Sequence, residues 1–255
     1  MSIINSPAQL WITRHGQSAG NVARDAAELA GLPVIDIAHR DIDVPLSPLG
    51  QEQARALGHW ISTLPHEARP QVVLCSPYVR AVETADLMLE AAGLAPASVI
   101  RALDERLREK EFGILDRLTA VGIRQKFPEL DAQRKHVGKF YFRPPGGESW
   151  CDVILRLRGM QETLGRIYPG QRVMVIAHQV IVNCFRYLIE DMTEEAILAI
   201  DRLADVPNCG VTSYRFDPQA ANGRLVLEAA NFVQPLVQEG TPVTTQPDTA
   251  GAAKP

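Results

Sequence analysis

Leu10-Trp11-Ile12-Thr13-Arg14-His15-Gly16 is the stretch on which the reading of this chain turns. An apolar, β-prone run leads straight into a guanidinium, an imidazole and a glycine. The run reads as a strand, which puts the next residues at the open end of a sheet. Imidazole can attack phosphorus, and guanidinium can hold phosphoryl oxygens in a bidentate grip. Glycine permits close backbone approach or positive φ. An ordinary turn after a strand accounts for the tripeptide equally well, so the decision rests on the rest of the chain.

Working outward, further β-prone runs cover 71–75, 98–102, 172–177, 211–216 and 224–230, beside the first at 9–14. Helix-like periodicities lie between them, which predicts βα units and a mostly parallel sheet. Only Asp217 to Gly223 separates the last two runs, so they can form a hairpin with one antiparallel strand. Ser47-Pro48 and Ser76-Pro77 read as N-cap and first helical position. Ser149 with Asp152 resembles a capping box, and Thr193 can cap 194–201. Gly93 and Pro169-Gly170 read as helix stops.

Three segments stand apart. Residues 22–46 form a long connection, helical over 22–30, and residues 113–147 carry mixed charge, aromatics and Pro144-Pro145-Gly146-Gly147. Both are expected to wall or cover a site. The segment 237–255, rich in Thr, Pro, Gly and Ala, reads as a disordered tail after a catalytic domain over 1–236.

The 255 residues are 46% hydrophobic and 22% charged, the balance of a globular domain. A net charge of -4 and a pI near 5.9 argue against nucleic acid or an anionic membrane as partner. No apolar run approaches the roughly 20 residues of a membrane span. Cys75, Cys151, Cys184 and Cys209 have no C-x-x-C spacing, and a reduced cytoplasmic setting is expected.

The reactive groups share one edge. Arg14 and His15 follow the first run, Ser76 and Arg80 the second, Glu109 the third and His178 the fourth. In an open parallel sheet, ligands bind beyond the carboxyl ends of the strands. Two histidines, two arginines and a carboxylate there suit phosphoryl transfer, whose transition state spreads negative charge over three oxygens. His15 would attack, and its attacking nitrogen must be neutral. Glu109 would protonate the leaving oxygen, with Glu105 and Glu111 as competitors.

These residues resemble the histidine phosphatase superfamily, the phosphoglycerate mutase-like family. Arg14-His15-Gly16-Gln17-Ser18-Ala19-Gly20-Asn21 is similar to its Arg-His-Gly-Glu-Ser-x-x-Asn signature. Asp43-Val44-Pro45-Leu46-Ser47 with Gly50 and Gln53-Ala54, Ser76 through Ala85, Leu107-Arg108-Glu109-Lys110-Glu111-Phe112-Gly113, and Gly147-Glu148-Ser149 match further segments in family order. The resemblance implies an α/β fold: a three-layer αβα sandwich around a mostly parallel, about six-stranded sheet with one antiparallel strand. It implies His15 as nucleophile, His178 as second pocket histidine, and Arg14, Arg80 and Asn21 as phosphate binders. It implies no metal and no cofactor. Gln17 replaces the commoner Glu, Gln179 stands where Gly is usual, and 22–42 is longer than in the smallest members.

The reading is a metal-independent phosphomonoester hydrolase acting through phosphohistidine on a small phosphorylated metabolite. Ser18, Gln179, Arg143 and Glu148 are further pocket candidates; Lys139 with Arg143 reads either as a pair for a substrate's distal anion or, equally well, as an exposed charged loop. A mutase that returns the phosphoryl group shares the same core. A non-catalytic module would normally have lost His15, Arg80 or His178. Gly16-Gln17-Ser18-Ala19-Gly20 also satisfies the Gly-x-Ser-x-Gly of a serine hydrolase elbow. An elbow normally follows several strands, however, and here one precedes it. His39, His59, His66 and His136 read as surface histidines; Asn208-Cys209-Gly210 resembles a family turn near the site, with a plain turn as the safer reading. Substrate and oligomeric state are not legible.

Overall fold

In the computed structural model, which describes residues 5–220 and 224–246, six strands form one sheet in the order β3-β2-β4-β1-β5-β6. They are β1 (Gln9–Arg14), β2 (Val72–Cys75), β3 (Ile100–Leu103), β4 (Arg172–Ala177), β5 (Val211–Asp217) and β6 (Arg224–Phe232). β3, β2, β4 and β1 run parallel, and β5 is antiparallel to both β1 and β6. The expected strands and hairpin are present.

Side chains alternate across each strand, so one run feeds two cores. Leu10, Ile12, Val72, Leu74, Val173 and Val175 pack under α6 (Trp150–Ile167) and α7 (Gln179–Ile189). Trp11, Val73, Cys75, Met174 and Ile176 face α2 (Pro48–Thr63) and α3 (Val79–Ala91) on the other side. Helices on both faces make the three-layer sandwich.

This topology places the site. β1 leads to α2 on one face, while its neighbour β4 leads to α7 on the other. The carboxyl ends of β1 and β4 therefore meet at a topological switch point, the place where open α/β sheets bind ligands. Arg14 lies opposite Ala177, and the His15 amide donates to the Ala177 carbonyl at 2.9 Å. His15 and His178 follow directly.

Helix signals are mostly as expected. Ser47, Ser149 and Thr193 accept from backbone amides as N-caps of α2, α6 and α8 (Glu194–Leu203), and Ser149 with Asp152 closes a capping box. Ser76 is a correction. The helix after β2 starts at Val79 with Tyr78 as N-cap, because the Ser76 hydroxyl is engaged by His178. The 22–46 connection opens with α1 (Ala19–Leu29), three residues earlier than its predicted start. Residues 113–147 carry α4 (Ala120–Lys126) and α5 (Pro128–Val137).

The stretch read as a disordered tail is described as far as Gln246. After α9 (Gln234–Gln238), Thr241 through Gln246 run back over the body. The Thr244 carbonyl accepts from the Asn208 amide at 2.9 Å, and Gln53 Nε2 donates to the Pro242 carbonyl at 2.9 Å. Residues 247–255 lie outside the described residues. Among the described residues no helix is long and apolar enough to cross a membrane.

Candidate active site

Arg14, His15 and His178 are each 0% exposed, and Arg80 and Glu109 1%, so the five leading candidates sit inside the protein. His15 is held in one tautomer. Its Nδ1 lies 2.6 Å from the Gly16 carbonyl, which can only accept, so Nδ1 carries the proton. Arg80 Nε donates to His15 Nε2 at 3.2 Å, so Nε2 presents its lone pair. A neutral imidazole with an unprotonated nitrogen beside a guanidinium is the state a nucleophile needs.

The backbone under His15 is fixed from several sides. Gly16 N donates to Thr84 Oγ1 at 3.1 Å, and Thr84 donates on to the Arg80 carbonyl at 2.7 Å. Asn208 Nδ2 donates to the His15 carbonyl at 3.0 Å, and the Cys209 amide to the Arg14 carbonyl at 3.0 Å. Cys209 takes a positive φ of 54° to do so. The turn at 208–210 is thus part of the site's frame, in line with its resemblance to a family turn near the site and not with the plain-turn reading. Gly16 is glycine because of close approach: a Cβ there would meet the Gly50 carbonyl oxygen at 2.4 Å. Gln17, the departure from the family's Glu, accepts from the Ser47 hydroxyl at 2.7 Å and ties this loop to α2.

The second histidine packs edge-on against the first, with ring centroids 5.1 Å apart. His178 Nε2 lies 2.8 Å from Ser76 Oγ. Tyr78, unsignalled in the sequence, stacks 5.1 Å from His178, while the Arg80 guanidinium lies 5.0 Å over its ring. Burial, with Asp41 and Glu111 nearby, pushes the Tyr78 phenol up, so it stays a donor to Glu111 at 3.0 Å.

Both phosphate-type arginines already hold protein oxygens. Arg14 donates to the Val206 carbonyl at 2.7 Å and to the Gln246 carbonyl. Arg80 donates to the Asp41 carbonyl and pairs with its carboxylate at 3.0 Å. Asp41 belongs to the 22–46 connection, which thus reaches Arg80.

Other candidates part company. Glu109 is buried while Glu105 and Glu111 are exposed, and Glu109 Oε1 accepts from the Lys110 amide at 2.7 Å. Asn21 closes the cap of α1: its Oδ1 accepts from the Ser18 amide at 2.9 Å. Ser18 Oγ caps the same helix and donates to Asn21 Oδ1 at 3.1 Å, so the hydroxyl is bound up in the cap rather than poised at an elbow. Gln179 Nε2 donates to Asp205 at 2.7 Å. Arg143 does not join the site; it is exposed and pairs with Asp152 at the start of α6. Glu148 faces Arg108 and Arg156. Among the described residues, no three His, Cys, Asp or Glu side chains cluster as metal ligands.

The family model of the histidine phosphatase superfamily, branch 1, matches residues 10–228. The chain belongs to this superfamily. Its members by similarity include the 2,3-bisphosphoglycerate-dependent phosphoglycerate mutase of Methylorubrum populi, 30% identical over 78% of this chain and 86% of that protein. The 6-phosphofructo-2-kinase/fructose-2,6-bisphosphatase of Caenorhabditis elegans is 32% identical over 72% of this chain and 34% of its own. Among solved histidine phosphatase folds, the alpha-ribazole phosphatase of Shigella flexneri superposes with a TM-score of 0.67 at 22% identity, covering 88% of this chain and 96% of its own. A mycobacterial glucosyl-3-phosphoglycerate phosphatase gives 0.63 at 23% identity, covering 89% and 100%. The chain is an enzyme of the histidine phosphatase type.

Proposed function

We propose that this histidine phosphatase hydrolyses a small phosphomonoester that carries a second anionic group. One observation carries the phosphohistidine step: His15 Nε2 presents a lone pair inside a buried cradle of Arg14, Arg80 and His178. The attack is in line on phosphorus; the His15 Nε2–P bond forms as the ester P–O bond breaks. The arginines take the charge on the transferring oxygens. Glu109 gives its proton to the departing oxygen, then takes one from the water that cleaves the phosphohistidine.

The second anion is supported by a cationic recess beside Glu109. Lys110, Arg134 and Lys139 line it with Phe112, Phe142 and Trp150. The Lys110 ammonium lies 4.2 Å over the Phe112 ring, and Lys139 pairs with Asp201. The space left between them is about 20 Å³, room for about one water, so a ligand anion there requires these walls to open.

Trapping by a rapid quench in base tests the mechanism. Quenching with 32P-labelled substrate is expected to give a base-stable, acid-labile phosphoenzyme that His15→Ala lacks. Absence of label in every variant would remove phosphohistidine from the reaction. Chelator is expected to leave the rate unchanged, since the steps above route no charge through a metal. A mutase is the second reading, favoured by the names of relatives such as the Methylorubrum enzyme. With 3-phosphoglycerate and a bisphosphorylated primer, phosphate release is expected to outrun isomerisation; the reverse order would make it a mutase.

A further inference from the structure

Glu109 stands on an irregular segment. A short 3-10 turn ends at Leu107, and residues 108–112 belong to no helix or strand. A carboxyl on such a segment is placed only as well as its backbone is tied down. The ties come from Arg156 and Glu148. The Arg156 guanidinium donates to the Arg106 carbonyl and, at 3.3 Å, to the Glu109 carbonyl. It also meets the Glu148 carboxylate twice, at 3.0 and 3.1 Å. Glu148 in turn accepts from the Glu111 amide at 3.1 Å and from Arg108 at 2.8 Å, while its own amide donates to the Glu111 carbonyl at 2.9 Å. The two side chains are 10% and 13% exposed. Burial alone would push the Glu148 carboxyl up; Arg156, the Glu111 amide and Arg108 outweigh it and hold the group below the usual carboxylate range.

We propose that Arg156 and Glu148 are positioning residues that fix Glu109 for proton transfer to the leaving group. The proposal rests on Glu109 being the acid. Arg156 projects from α6, whose Val153, Ile154 and Leu157 are buried in the core, so the clamp refers the acid to a rigid layer. A planar guanidinium spans two carbonyls and a carboxylate at once, which an ammonium cannot reproduce. Misplacing a catalytic group by about 1 Å can lower the rate about 100-fold.

The test compares two esters. An alkyl phosphate needs its leaving alkoxide protonated; 2,4-dinitrophenyl phosphate releases a stable anion and does not. In folded protein, judged by circular dichroism, Glu148→Gln and Arg156→Lys are expected to lower kcat/KM for the alkyl ester about 10- to 100-fold. The KM for the alkyl ester and kcat/KM for the aryl ester are expected to change less than about threefold. Glu109→Gln is the reference and is expected to show the same selectivity more strongly. Should one clamp variant fail to fold, the other carries the comparison, and Arg156→Lys keeps both charge and stem. Equal losses on both esters, or none on either, while Glu109→Gln stays selective, would overturn the clamp. A Glu109→Gln variant with no selectivity would overturn the acid assignment itself.

Discussion

Ser18 and His15 lie three residues apart, yet the structure gives them unrelated tasks. Ser18 and Asn21 close a capping box at the start of α1. Ser18→Ala is therefore expected to cost about 1 kcal/mol of stability, read by denaturant titration, with turnover preserved. A serine-centred mechanism would instead lose its rate. Lys110 yields a pH prediction. Burial holds its ammonium down, to about 8, despite Glu109. It is charged below that value and neutral above it. KM for a doubly anionic substrate is expected to rise as pH passes about 8, while a singly anionic ester shows no such rise. At this scale the sequence was legible where a residue follows a strand, as His15, Arg80 and His178 do. Tyr78 escaped because its ring partner His178 lies far along the chain, and Asn208 read more safely as a plain turn because its bond to His15 spans 193 positions. Arg143 misled because charge beside a Pro-Pro-Gly-Gly turn says nothing about direction; Asp152 draws it outward.

Elements announce themselves when local chemistry closes locally. Ser47-Pro48 begins α2, and Ser149 with Asp152 begins α6, because cap and partner are three residues apart. Ser76-Pro77 carries the same letters and fails, since His178 takes the hydroxyl. α5 was illegible as a helix: none of its residues is buried, so it leaves no apolar stripe to find. The first turn of α2 meets the loop after His15 backbone to backbone. A Cβ at Gly50 would lie 1.9 Å from the Gln17 carbonyl oxygen. Gly50→Ala is expected to lower stability by about 1–3 kcal/mol and to reduce kcat, because relief must move the loop beneath His15. A melting curve beside initial rates checks both.

Across the whole molecule, distant parts of the chain meet at the cradle arginines. Asp41 reaches Arg80 from the long connection, and Gln246 reaches Arg14 from beyond the last helix. A phosphoryl oxygen on Arg14 has to share or replace the Gln246 carbonyl. A chain ending at Gly240 is therefore expected to bind orthovanadate about three- to tenfold more tightly, read as the inhibition constant, in line with about 0.5–1.5 kcal/mol for one hydrogen bond. The composition of this segment hid its placement, since low apolar content predicts no docking and the segment docks through polar groups instead.

Those polar groups belong largely to the main chain. The oxygens that reach Gln53, Asn208 and Arg14 include the carbonyls of Pro242, Thr244 and Gln246. Alanine scanning leaves every carbonyl in place, so it would register the Thr244 hydroxyl, which donates to Asn208 Oδ1 and accepts from Gln53 Nε2, and pass over the main-chain contacts. Substitution can drift there while the crossing survives, whereas a one-residue insertion or deletion would re-register all three oxygens at once.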